Sequence, residues 1–293
     1  MVSLILNERG FSGSLRRKLA SSQGIGVVHL GKCGGVSMQF TIMAGRPANA
    51  IQKQVPEFFH LNPPTIEKYD NWIALVRDPV ERIQSSWIYE HPDNAQFRVD
   101  RVGKFLHNFR PKFYECYPTL DPALKTGLTA PSTQENDSPM LAKKFFSGHV
   151  GQEFYGMAHF KFNFEFYYKE LLEQAAKKRI FVVRSERMLA DLNTVHKMLG
   201  GQGDVFTQTK HHAHFKGMGK EGLPMTDRTI SPEGMQNLCR FLCTEIQMYK
   251  QLLKQAVNFP PEHKLVPPSG LVEKCPIEAA SDFCPQKPYR ADE

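Results

Sequence analysis

A lysine, a cysteine, two glycines and a serine close the first apolar run of the chain, in Gly26-Val27-Val28-His29-Leu30-Gly31-Lys32-Cys33-Gly34-Gly35-Val36-Ser37. These residue types in this order suit a strand, a tight turn and a helix start that can hold a phosphate-like anion. Backbone N–H groups of such a turn point at the anion, and the helix dipole favours negative charge there. Lys32 precedes the glycines, whereas the nucleoside-triphosphatase pattern GxxxxGK[ST] places its lysine after them, so the order turns the reading away from ATP chemistry. A second cluster follows in Arg77-Asp78-Pro79-Val80-Glu81-Arg82-Ile83-Gln84-Ser85. Arginine offers a planar fork to phosphate oxygens, and the Ser85 hydroxyl, about two helical turns further on, adds a donor. The plainer alternatives are a solvated loop lysine, an arginine in a surface ion pair and a helix-face serine. Arg82 reads as a structural ion-pair residue.

The elements that must position these groups are strands alternating with helices. A first unit runs from Ile25 through the loop into a helix near Ser37–Met43. Trp72-Ile73-Ala74-Leu75-Val76 has the look of a buried parallel strand. It ends where helix-start signals coincide: Asp78 can cap, Pro79 fits the first helical position, and Glu81 completes a capping box. That helix is expected to reach about Tyr89. Further on come a helix at about 164–177, a strand at Ile180–Arg184 and a helix at about 187–199. Ser231-Pro232-Glu233 opens one long helix to about Val257. The alternation implies an α/β fold of three layers, P-loop-like, with a central parallel sheet flanked by helices. Arg184 and Ser185, just after the later strand, are expected on the same sheet edge as Lys32 and Arg77, where ligands bind in open α/β sheets.

The expected organisation is an N-terminal extension (1–24), a main domain (25–257) with an insertion at about 91–139, and a proline-rich tail (258–293) that wraps the surface. The insertion holds an amphipathic patch, Val99–Phe109, and a polar tip. The aromatic-dense stretch 154–168 reads as core before it reads as a stacking wall. His211, His212 and His214 lie on a glycine-bearing loop with Lys210, Lys216 and Lys220. A loop covering the nucleotide or acceptor is preferred there to a metal site.

The chain has 293 residues, 41% hydrophobic and 23% charged, enough for a sizeable core. A net charge of +7 and a pI near 9.0 suit an anionic ligand. The basic residues are scattered, with no nucleic-acid arm. No stretch of about 18 apolar residues spans a membrane. The absence of a targeting segment points to the cytosol, with the Golgi lumen as the alternative if the chain belongs to a longer protein. Of six cysteines, Cys239 and Cys243 share a helix face and read as buried thiols. Cys275 and Cys284, in the tail, could bridge in an oxidising compartment.

The Lys32–Ser37 loop and the Arg77–Ser85 segment together resemble the two nucleotide-binding motifs of sulfotransferases. The likeness is closer to the carbohydrate-modifying branch, which includes the heparan sulfate 2-O-sulfotransferases. It extends more weakly to Ile180–Gly200 and the terminal helix. The resemblance implies 3′-phosphoadenosine 5′-phosphosulfate (PAPS) as donor, no required metal, and a hydroxyl acceptor on a glycan or a small alcohol. It implies the loop Lys32-Cys33-Gly34-Gly35-Val36-Ser37 at the 5′-phosphosulfate and Arg77 with Ser85 at the 3′-phosphate. Cys33 stands where threonine is common. In related sulfotransferases the general base comes from the interval between the motifs and is often histidine. His60 is the candidate and Glu57, glutamate being used by some relatives, the runner-up; imidazole suits proton abstraction near neutral pH. His29 reads as packed. Competing readings are a non-catalytic anionic-ligand or glycan-binding relative and a P-loop nucleotide phosphotransferase.

Overall fold

The computed structural model describes residues 24–43, 49–55, 57–60, 62–90, 112–131, 138–147, 158–207, 229–260 and 270–275. Four strands, β1 (Ile25–His29), β2 (Glu57–Phe59), β3 (Asn71–Val76) and β4 (Arg179–Arg184), form one sheet in the order β2-β1-β3-β4. Every pairing is parallel. The strands β1 and β3 are buried throughout, which is why they read as unbroken apolar runs rather than alternating ones.

The chain steps from β1 outward to β2, then returns past β1 to β3. The direction of winding therefore reverses between β1 and β3, and the loops that follow those two strands border one crevice at the carboxyl edge.

Helix α1 (Gly35–Met43) follows β1, and α2 (Pro79–Glu90) follows β3. Pro79 takes the first position of α2, and the Asp78 carboxylate accepts the N–H groups of Val80 at 2.8 Å and Glu81 at 3.1 Å. Glu81 does not close the expected capping box. Its carboxylate turns to Arg77 instead, at 3.4 Å.

Part of the expected insertion belongs to the core. Phe113, Tyr114 and Tyr117 are buried, and Phe113 stacks on Phe145 of α3 (Ser138–Ser147) with ring centroids 3.8 Å apart. Both rings meet Trp87 of α2, at 5.4 and 5.6 Å, so this cluster supports α2 from within. The Val99–Phe109 patch and most of the polar tip lie outside the described residues. Phe160, Phe164, Tyr167 and Tyr168 are core residues, as read from the aromatic stretch. The last three belong to α4 (Phe164–Glu173), capped by Asn163.

Helix α5 (Met188–Met198) packs on β4. The expected single helix to Val257 is two: α6 (Pro232–Phe241), capped by Ser231, and α7 (Cys243–Gln255), with a break at Leu242. Beyond α7 the chain covers the open edge of β4. The Val257 N–H donates to the Ile180 carbonyl at 2.9 Å, and the Asn258 amide bonds both backbone groups of Val182 at 2.8 Å.

The cysteine pairing differs from the expectation of buried thiols in α6 and α7. Cys239 is bonded to Cys275, and Cys243 is also disulfide-bonded. Cys275 therefore does not bridge to Cys284 as expected, and Cys239 and Cys243 fall on either side of the break at Leu242, a pairing that spacing alone does not encode. Among the described residues, no helix is long and apolar enough to cross a membrane.

Candidate functional site

The turn after β1 is a left-handed bend. Lys32 has φ 64° and Gly34 φ 80°. For lysine this conformation costs roughly 1–2 kcal/mol, and a strained non-glycine residue of this kind clusters at functional sites. The Cys33 N–H closes the turn on the Leu30 carbonyl at 3.3 Å. The Cys33 thiol is fully buried in the core, and burial pushes it up to about 12. A thiol held protonated in this way is no nucleophile. Gly34 precedes α1 and Gly35 opens it, Val36 lies in its first turn, and Ser37 is half-buried beside them. The first N–H groups of a helix lack acceptors within the helix and face outward along its axis.

Two imidazoles explain why glycines flank Lys32. A Cβ on Gly35 would lie 1.7 Å from the His29 ring, and one on Gly31 would lie 2.7 Å from the His159 ring. The loop is thus clamped between a histidine of β1 and a histidine of the short helix Ala158–Lys161.

The Lys32 ammonium rests over the Tyr89 ring, 3.8 Å from its centroid. Its pKa is lowered to about 8, chiefly by burial, with Glu90 opposing the shift and the neighbouring Arg77 adding to it. Tyr89 packs edge-on against His159 at 4.4 Å, and His159 Nδ1 bonds the Glu90 carboxylate at 2.8 Å. Burial also lowers His159, with that hydrogen bond opposing. Sequence reasoning missed Tyr89, Glu90 and His159. Tyr89 follows Glu81 and Ser85 at four-residue steps, a signal that was present.

Arg77 meets the loop directly. Its guanidinium Nη1 donates to the Lys32 carbonyl at 3.4 Å and its Nε to Glu81 at 3.4 Å. Both contacts are long, and the side chain keeps 29% exposure. Ser85, half-buried, lies one turn beyond Glu81 on the same face of α2. The structure thus brings the two basic motifs into contact where Arg77 meets the Lys32 carbonyl. No protein-family model, curated protein or solved structure matches the chain.

Next to the glycine turn a cleft of ≈ 490 Å³ opens between the starts of α1 and α5. Gly34 and Ser37 line one side, and Ser185 through Ala190 the other. Ser185 thus reaches the crevice edge as expected, whereas Arg184 does not stand free there. Its guanidinium is held by Asp191 at 2.6 and 2.8 Å.

His60 ends β2 and stacks on His29, ring centroids 4.1 Å apart. Its Nδ1 lies 3.2 Å from the His29 carbonyl oxygen. A carbonyl only accepts, so in the neutral ring Nδ1 carries the proton and Nε2 keeps a free lone pair. Burial lowers the His60 pKa, with the carbonyl bond opposing and His159 adding to the shift. His29 is pushed down to about 3, first by burial and then by His60 and His159, so it stays neutral and packed.

Glu57 stands apart. It pairs with Gly26 at the start of β2, away from the carboxyl edge, and its carboxylate is held by Lys68 at 2.6 Å and the Tyr69 hydroxyl at 3.1 Å. The Lys68 bond holds it below the usual carboxylate range. The structure does not bring this runner-up base to the crevice. Among the described residues no group of His, Cys, Asp and Glu could hold a metal ion, and the His211–His214 loop with its lysines lies outside them.

Proposed function

We propose that this chain is a sulfotransferase of P-loop-like α/β architecture that moves a sulfuryl group from PAPS to a hydroxyl acceptor. The observation that carries the reading is the contact between the Arg77 guanidinium and the Lys32 carbonyl at the winding reversal. Two anion-binding elements from separate motifs are thereby close enough to grip one ligand with phosphates at both ends. The turn of Lys32, Gly34, Gly35 and Ser37 takes the 5′-phosphosulfate, while Arg77 and Ser85 take the 3′-phosphate. Glu81 yields the guanidinium to the phosphate on binding.

The acceptor oxygen attacks sulfur in line, by analogy with loose phosphoryl transfer. The bond from acceptor oxygen to sulfur forms as the bond from sulfur to the 5′-phosphate oxygen breaks. The hydroxyl proton passes to His60 Nε2, and the electron pair stays on the departing phosphate oxygen. Lys32, drawn off Tyr89, stabilises that developing charge. Burial disfavours the ammonium in the free protein, and the anion of the bound donor opposes that shift and favours the cation. The basic balance of the chain favours an anionic glycan acceptor over a neutral small alcohol. The Cys239–Cys275 bond favours an oxidising compartment, such as the Golgi lumen, over the cytosol.

A thermal-shift comparison in the absence of magnesium tests the donor class. Adenosine 3′,5′-bisphosphate should raise the melting temperature more than ATP or NAD. Equal responses to all three, or a response to ATP alone, would contradict the reading.

A further inference from the structure

The tail returns to the crevice at one point that the donor reading does not use. Residues Leu271–Lys274 form a helical turn against the start of α2. There the Val272 N–H donates to the Asp78 carboxylate at 2.8 Å, across 194 positions of sequence. Asp78 is 3% exposed and divides its two oxygens: one receives the first turn of α2, the other receives the tail. Gly270 approaches so closely that a Cβ there would lie 2.3 Å from the tail-facing oxygen. Cys275, directly after the turn, is bonded to Cys239 of α6, which fixes the segment to the body of the protein.

Asp78 is the residue after Arg77, and it caps the entry into α2. Among the described residues, Arg77 itself is held only by contacts of 3.4 Å. The direction in which its guanidinium leaves the sheet therefore depends on the backbone that Asp78 secures. A buried carboxylate with a missing donor would shift to recover it, since an unsatisfied charged group costs more than a neutral one.

We infer that residues 270–275 are a strap that positions Arg77 for a 3′-phosphate by holding Asp78, an assignment that rests on the donor reading above. Arg77 is the binding group in this scheme; Val272 and Gly270 are positioning residues, and the Cys239–Cys275 bond anchors them.

Two full-length variants test it, Gly270→Ala and the double change Cys239→Ser with Cys275→Ser, each first checked for native circular dichroism. Titration with adenosine 3′,5′-bisphosphate and with adenosine 5′-phosphate gives a selectivity ratio. The bisphosphate should bind about tenfold more weakly and the monophosphate less than about twofold, a loss on the scale of one helix cap. An unchanged ratio in a folded variant overturns the strap, because general loosening weakens both ligands alike. Hydrogen exchange at the Val80 and Glu81 amides, read without ligand, is the second arm. It should quicken in both variants, and unchanged protection overturns the hold on Asp78. Wild-type protein that binds neither nucleotide overturns the donor reading instead, and the exchange arm then decides the strap alone.

Discussion

Two arginines five residues apart are used in opposite ways. Arg82 is fully buried inside the protein, donating to the Glu245 carboxylate and to the His159 carbonyl, each at 2.6 Å. Arg77 stands at the sheet edge, partly exposed, and both its contacts are 3.4 Å. A short, dry ion pair fixes geometry and keeps its guanidinium out of a ligand's reach. Long contacts at a wet edge leave donors that an anion can claim at little cost. The two residues share a helix region and a charge, so the difference lies in what surrounds them. Structure lies beneath α2, and the proposed binding group lies at its start.

Removing the partner of the buried arginine should do the most damage. Glu245→Ala leaves a guanidinium uncompensated in the core and should cost about 3–5 kcal/mol in urea unfolding. A change near zero would break the contrast from the structural side. Lys32→Ala comes next, with transfer slowed on the order of 10²–10³-fold, as for loss of a charge-stabilising donor. A companion measurement uses pH. Because the Lys32 ammonium titrates at about 8, donor affinity should hold below that pH and weaken above it as the charge is lost. Lys32→Arg should remove the pH dependence; a flat profile in the wild type would count against Lys32 as the cation. Arg77→Ala should leave stability within about 1 kcal/mol of wild type. It should weaken adenosine 3′,5′-bisphosphate roughly tenfold to a hundredfold while sparing adenosine 5′-phosphate. A large stability loss would make Arg77 another Arg82.

The smallest effect concerns His29. Its pKa is about 3 in the folded chain and near 6.5 unfolded, so between those values the unfolded chain binds more protons. Stability should thus be flat above pH about 6.5 and fall by about 1 kcal/mol by pH 5.5. His60 and His159 shift in the same direction and add to the trend. No loss over this interval would show that the histidines clamping the loop are not held neutral.

The parts of this contrast were unequally visible in the sequence. β1, β3 and β4 were legible because strands buried on both faces read as apolar runs. The start of α2 was legible because Asp78 and Pro79 are local helix-start chemistry. β2 was not legible, since three residues carry too little pattern. The break at Leu242 has no local signal: the apolar spacing runs through it without interruption. The Cys239–Cys275 pairing and the placement of Phe113 and Phe145 depend on long-range contact, which no window of sequence contains. At the site, Lys32 and Arg77 were read from type and spacing. His159 and Glu90 were not, because their meeting is a property of packing across 69 positions.

In the proposed function, one crevice built from the ends of β1 and β3 grips both ends of a single adenylate. Calorimetric titration of the wild-type chain in chelator, with adenosine 3′,5′-bisphosphate and then with its 3′- and 5′-monophosphates, tests this most directly. One bisphosphate should bind per chain, more tightly than either monophosphate by at least about tenfold. Equal affinity for the bisphosphate and one monophosphate would mean that only one end is held, and would contradict it.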